Sequence, residues 1–254
     1  MTTRNSRATH RVEHPINARR RQWPWSHREV PPEMSTVATL HTPLPRPVEV
    51  ANTITHGIGL ALAVVGTAVL TQAMARYGDT LQLVGVSIYG AALISVYAAS
   101  TLSHAFERPR LRHFFRTLDQ VCIFLLIAGT FTPFALTYFR QGWWWALLIS
   151  MWIVALGGIV CKLFYTKLHN VSVSAYVMLG WMPMVAIKPI ISTVPEGALW
   201  WMLIGGLCYS AGVWFLMRDE RVPIYHAVWH VLVIGGSACH YYAMMRFLVP
   251  WPAA

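Results

Sequence analysis

Charged side chains are scarce in this chain. Of its 254 residues, 12% are Asp, Glu, Lys or Arg and 56% are hydrophobic, whereas a soluble domain usually has about 25% charged residues. This shortage excludes an ordinary water-soluble globular protein and indicates a polypeptide built for a lipid bilayer. The period-two alternation of a transmembrane β-barrel is also lacking, so the hydrophobic segments are expected to be helices.

Cysteine is scarce as well. The chain has four, Cys122, Cys161, Cys208 and Cys239, and no two are spaced as Cys-x-x-Cys. All four lie within or at the ends of hydrophobic segments, which predicts buried apolar packing residues and no structural disulfide. The first 47 residues contain no apolar run, so no cleavable signal peptide is expected.

Seven hydrophobic segments predict an all-α integral membrane protein with a bundle of seven transmembrane helices. Most of them offer about 20 mainly apolar residues, enough to cross about 30 Å of hydrocarbon. The predicted spans are residues 48–75, 81–103, 117–139, 143–162, 172–191, 197–217 and 225–248. Residues 1–47 are polar and rich in arginine and proline, which predicts a disordered basic cytoplasmic tail before a membrane domain at residues 48–254.

The basic residues are distributed unevenly between the two predicted sides of the membrane. Sixteen Lys and Arg residues fall in the tail and the loops on its side, and four fall on the opposite side. The positive-inside rule therefore predicts a multi-pass protein of the cell membrane with a cytoplasmic N-terminus and an external C-terminus. The net charge of +10 is explained by topology and by anionic inner-leaflet headgroups, so no nucleic-acid partner is expected.

Four polar residues lie at the ends of these apolar helices: His104, Asp119, His226 and His230. The spacing of His226 and His230 places both imidazoles on one helix face. In the predicted topology all four residues lie near the cytoplasmic edge, with His230 about 6 Å deeper than His226. Three segments that are distant in sequence are therefore expected to meet in one layer.

Three histidines in one layer predict a zinc site. Three protein ligands and a water are typical of catalytic zinc, which lowers the pKa of that water to about 7. Asp119 is then expected to hydrogen-bond the water or to orient a ligand. Ser100, one turn before His104, can bond the water or a substrate oxygen. The alternative is that the histidines are interfacial residues that bond carbonyls or lipid phosphates.

Other polar residues and prolines favour a structural interpretation. Asn52 and His56 share one face of the first span, where they either bond neighbouring helices or line the same cavity. His240 lies about 15 Å beyond His230, too far to bind the same ion, and is interpreted as a packing residue. Pro133 and Pro183 are expected to kink the third and fifth spans.

Several stretches together resemble the haemolysin III proteins of bacteria, relatives of the adiponectin and progestin receptors in a wider group of seven-helix membrane proteins that includes alkaline ceramidases. The resemblance covers roughly residues 47–248. It rests on Glu49 to Gly57, Ser100 to His104, Leu118 to Gln120, Gly129 to Phe134, His226 to His230 and His240-Tyr241. It implies a zinc ion and its water held by His104, His226 and His230, with Ser100 and Asp119 close by.

Three functions fit these observations. The first is a zinc-dependent hydrolase of a lipid amide or ester, such as a ceramidase-like amidase, with zinc hydroxide as nucleophile and Asp119 handling the proton. The second is a receptor-like regulator of membrane homeostasis in which zinc is structural. The third is a pore that lyses cells, for which no span offers a charged stripe. Membrane lipids are the expected partners.

Overall fold

A computed structural model describes residues 46–141, 144–164 and 169–252. Within them the regular structure is helical throughout. The elements are α1 (Arg46–Tyr77), α2 (Thr80–Ala105), α3 (Pro109–Tyr138), α4 (Trp144–Phe164), α5 (His169–Trp181), a 3₁₀ segment (Met182–Ala186), α6 (Ile187–Thr193), α7 (Glu196–Leu216) and α8 (Ile224–Phe247). Residues 1–45 of the predicted tail lie outside the described part of the chain.

Six helical segments of the described residues are long and apolar enough to cross a membrane. They are Arg46–Tyr77, Thr80–Ala105, Pro109–Tyr138, Trp145–Phe164, Val173–Thr193 and Glu196–Leu216. The predicted all-α, multi-pass membrane protein is therefore confirmed. The 24 residues of α8 would span about 36 Å, but α8 is not among the six, because its histidines and tyrosines lower its mean hydropathy. The seventh span and the orientation of the termini remain predictions.

Prolines account for two differences between predicted and observed helix bounds. Helix α3 begins at Pro109 rather than at residue 117, because proline at the first helical position has its φ angle already set. The fifth span is interrupted by the 3₁₀ segment Met182–Ala186, which contains Pro183. The predicted distortion at Pro183 is confirmed, since proline removes a helical hydrogen bond. Helix α3 continues through Pro133.

The packing of the helices brings the two ends of the domain together. Helix α2 packs against both α1 and α3, α7 packs against α8, and α8 also contacts α1. Glycine permits the close approach of α7 to α8, because a Cβ atom added at Gly205 would lie 2.7 Å from Nε2 of His240. The α1–α8 contact places the start of α1 beside the first turns of α8.

The cysteines follow the prediction only in part. All four are free, and Cys122 is buried. Cys161 is exposed on α4, so its predicted burial is wrong. The physical reason is that an apolar residue of a membrane helix can face lipid as readily as the protein interior, and hydrophobicity alone does not separate the two faces.

Candidate metal centre

Three histidines from two helices meet at one end of the bundle. His104 lies in the last turn of α2, and His226 and His230 lie in the first two turns of α8. The ring centroid of His104 lies 5.0 Å from that of His226 and 5.2 Å from that of His230, and the centroids of His226 and His230 lie 4.6 Å apart. One nitrogen from each residue lies within 4.8 Å of the others. We call these residues the histidine cluster.

Hydrogen bonds determine which nitrogen of His104 and of His226 faces the cluster. Nδ1 of His104 lies 2.6 Å from Oε2 of Glu49, and Nδ1 of His226 lies 2.7 Å from Oδ2 of Asp219. Because a carboxylate only accepts hydrogen bonds, each Nδ1 carries the proton and donates it. Each Nε2 of the neutral ring then carries a lone pair, and the two Nε2 atoms lie 3.2 Å apart. Two lone pairs this close repel each other unless a cation lies between them.

The third ring, that of His230, is oriented by the first helix. Its Nδ1 lies 3.4 Å from Oγ1 of Thr55. The Thr55 hydroxyl already donates to main-chain carbonyls, so its oxygen accepts from Nδ1 of His230. Nε2 of His230 is therefore the nitrogen left for a metal. Three converging neutral imidazole nitrogens are a donor set that suits zinc.

The spacing of these nitrogens also fits zinc. Two nitrogens bound at 2.0–2.1 Å with tetrahedral angles lie about 3.3 Å apart, close to the 3.2 Å between His104 and His226. His104 and His230 are buried. Among the described residues, His104, His226 and His230 form the group that can hold a metal ion.

Unpartnered polar atoms surround the cluster. Asn52, His56 and Ser100 are buried, and both polar atoms of Asn52, both ring nitrogens of His56 and the Ser100 hydroxyl lack a hydrogen-bond partner. The His56 ring stacks on that of His230 at 3.5 Å between centroids. Buried polar atoms without partners are rare in folded proteins and indicate a place for water, an ion or a ligand.

Asp119 connects the cluster to a cavity. Its side chain interacts electrostatically with His226 and lies within reach of the Ser100 hydroxyl, although that hydroxyl lacks the geometry of a hydrogen bond. Asp119 and His56 line a cavity of about 440 Å³ between α3, the fifth span, α7 and α8. Most other lining residues are apolar, and the opposite end is lined by Glu196 and Trp200.

The structure thus places all five predicted site residues at the same end of the bundle: Ser100, His104, Asp119, His226 and His230. His240 donates from Nε2 to the main-chain oxygen of Met202, as expected of a packing residue, and it also lines the cavity. Sequence reasoning missed Glu49 and Asp219, the two acids that contact the cluster. A usable signal was present for Glu49, since it lies three and seven residues before Asn52 and His56 on one face of α1.

These features define a class: a multi-pass helical membrane protein with a buried histidine cluster that can bind a metal ion. Residues 46–241 match the model of a family described as "Haemolysin-III related". The chain belongs to that family.

Relatives with known names cover the same part of the chain. It is 36% identical to Hemolysin-3 of Bacillus cereus over 80% of this chain and 92% of the relative. It is 34% identical to the Hemolysin-3 homolog of Bacillus subtilis, over 80% and 96% of the two chains. It is 29% identical to the human monocyte to macrophage differentiation factor, over 80% and 85%. These likenesses confirm the predicted relationship to haemolysin III.

Direct metal analysis tests the cluster. The purified protein, loaded with zinc in detergent and dialysed, is expected to retain one zinc ion per chain. Zinc at 100 times its dissociation constant should then stabilise the fold by about 2.7 kcal/mol. His226→Ala should abolish both effects because it removes one of three ligands, whereas His113→Ala, at an exposed position on α3, should change neither. A zinc-free wild-type protein after loading would rule out the site.

Proposed function

We propose that this protein is a zinc-dependent hydrolase of lipid amides or esters. The observation that carries the proposal is the position of the histidine cluster beside the Asp119 end of an otherwise apolar cavity. Metal ligands, a carboxyl group and a space for an acyl chain lie next to one another there. That combination suits hydrolysis of a bond at the polar end of a lipid.

Each residue has a defined task in this proposal. His104, His226 and His230 hold the ion, and zinc held by three imidazoles supplies Lewis acidity and a water that ionises near neutral pH. Asp119 lies close enough to His226 to interact with it and is placed to accept and return a proton during the reaction. The unpartnered hydroxyl of Ser100 is available to hydrogen-bond a carbonyl oxygen.

The shape of the cavity supports a long apolar substrate. Along α3, the lining residues from Asp119 to Phe131 recur on one helix face. Twelve helical residues correspond to about 18 Å. An acyl chain of similar length therefore fits with its carbonyl near Asp119, and the apolar walls exclude water from the chain.

Lipid turnover tests the catalytic assignment. The zinc-loaded protein is expected to release fatty acid from at least one member of a panel of ceramides, acyl amides and phospholipid esters. Asp119→Asn should lower kcat by about 10²–10⁴-fold, since general acid–base groups contribute that much, while the variant still retains zinc. If no lipid yields a zinc-dependent product, the hydrolase proposal fails. If Asp119→Asn turns over normally, the proton-transfer role of Asp119 is wrong.

A regulator with structural zinc is the second candidate. The observation that favours it is that the cluster joins the end of α2 to the start of α8. Glu49 also connects α1 to the cluster, because its carboxylate bonds His104. Structural zinc sites usually have four protein ligands, whereas this group of described residues has three. The apolar cavity gives no support to a third candidate, a water-filled pore.

Chelation separates the first two candidates. In the hydrolase, removal of zinc should stop turnover and cost only the stability gained from metal binding. In the regulator, removal of zinc should unfold the end of α2 and the start of α8, which is measured as faster amide hydrogen exchange in those two segments. No lipid product should appear with zinc present. A chelated protein that keeps its exchange protection would contradict the structural assignment.

We also propose that the cluster lies at the cytoplasmic side of the cell membrane. At that end Arg108, in the turn between α2 and α3, and Arg110, in the first turn of α3, are exposed, which favours contact with anionic inner-leaflet headgroups. In a bacterial host, alkaline phosphatase fused after Ala254 should then be active, and the same reporter fused in the 218–222 loop should be inactive. The reverse pattern would place the C-terminus inside.

A further inference from the structure

Two histidines of the cluster have a carboxylate on the side facing away from it. Glu49 in α1 contacts Nδ1 of His104 at 2.6 Å, and Asp219 in the turn before α8 contacts Nδ1 of His226 at 2.7 Å. His230 differs, because the Thr55 hydroxyl, and not a carboxylate, lies at its Nδ1. The acids come from two segments that lie 170 residues apart in the chain, and each serves one ring.

These contacts decide whether the rings can bind a metal at all. A neutral imidazole has one protonated nitrogen, and a metal needs the other. With a carboxylate at Nδ1, the proton stays on Nδ1 and Nε2 is available at the cluster. Without the carboxylate, the proton can move to Nε2 and the ring can rotate, and both changes remove a ligand. Such outer partners typically change metal affinity by about 10- to 100-fold.

We propose that Glu49 and Asp219 are positioning residues that set the metal affinity of the histidine cluster. This inference rests on the metal site of the proposed function. The two carboxylates select the metal-binding tautomer of His104 and His226, and they place negative charge near a divalent cation that would otherwise be costly to bury.

The two acids are held differently, which determines how they can be tested. The side chain of Glu49 is only 9% exposed, and its Oε1 lies 3.2 Å from Arg112 and 3.7 Å from Arg116, both on α3. Replacing Glu49 would leave these guanidinium groups without their partner and so endanger the fold. Asp219 is 22% exposed and lies in a turn, so its replacement should perturb the affinity without perturbing the core.

The experiment is therefore built on Asp219. Zinc affinity of the full-length protein in detergent is measured by competition with a chromophoric chelator for wild type, Asp219→Ala, Asp219→Asn and Asp219→Glu. Glu220→Ala is the matched control, since Glu220 is the next residue and is exposed. Cobalt is bound in a parallel series, because its visible absorption reports the geometry of the ligands.

Asp219→Ala is expected to weaken zinc binding by about 10- to 100-fold and to broaden the cobalt bands, with an unchanged melting temperature for the metal-free protein. Asp219→Asn, which keeps an acceptor but loses the charge, should lie between Ala and wild type, and Asp219→Glu should restore part of the affinity. Glu220→Ala should match wild type.

Two outcomes would contradict the proposals, and they differ. If wild type binds zinc and Asp219→Ala binds it as tightly as Glu220→Ala does, the positioning role is wrong and the metal site stands. If wild type itself binds neither zinc nor cobalt stoichiometrically, the metal site of the proposed function is wrong. For Glu49, Glu49→Gln supplies the parallel test, provided that its metal-free melting temperature equals that of wild type.

Discussion

The approach of two imidazole nitrogens is the interaction on which the site depends. Nε2 of His104 and Nε2 of His226 lie 3.2 Å apart, and the acids behind both rings keep the protons on the far side. A proton alone could bridge two facing lone pairs. The third ring makes the difference, because a proton serves two acceptors, whereas a metal ion accepts the lone pairs of three. The convergence of His230 on the same point therefore favours a metal over a shared proton.

The geometry of the histidine cluster depends on the contacts that α1 makes with α8 and α2. Helix α8 carries two of the rings, and its contact with α1 lets the Thr55 hydroxyl orient His230. Helix α1 also supplies Glu49 to the ring of His104, on α2. The first helix thus contributes no ligand of its own and still orients two of the three histidines. A metal in the cluster would join α2 and α8 through side chains that α1 already holds.

Sequence reasoning identified the three histidines of the cluster but not the acids that contact them, for a physical reason. Histidines at the ends of apolar helices stand out because such helices tolerate few polar groups, and the i, i+4 spacing of His226 and His230 defines a shared face. Glu49 and Asp219 gave a weaker signal, since acids near helix ends are expected to meet water. Their importance follows from pairing across the bundle, which hydropathy does not encode. Hydropathy likewise does not encode which helix face is covered, so the exposure of Cys161 was missed. The break at Pro183 followed from local geometry.

The distribution of unsatisfied polar atoms supports a single chemical centre. Nine buried side-chain nitrogen and oxygen atoms of the described residues lack a hydrogen-bond partner, and five of them belong to Asn52, His56 and Ser100. Elsewhere in the described bundle, buried polar groups pair with one another: Tyr97 donates to Ser237, whose hydroxyl also bonds that of Tyr209. Unpaired buried groups cost stability. If they were only packing defects, they would have no reason to gather in one part of the bundle. Their concentration beside the three rings makes this end of the cavity the place where buried polar groups are available to a water or a ligand.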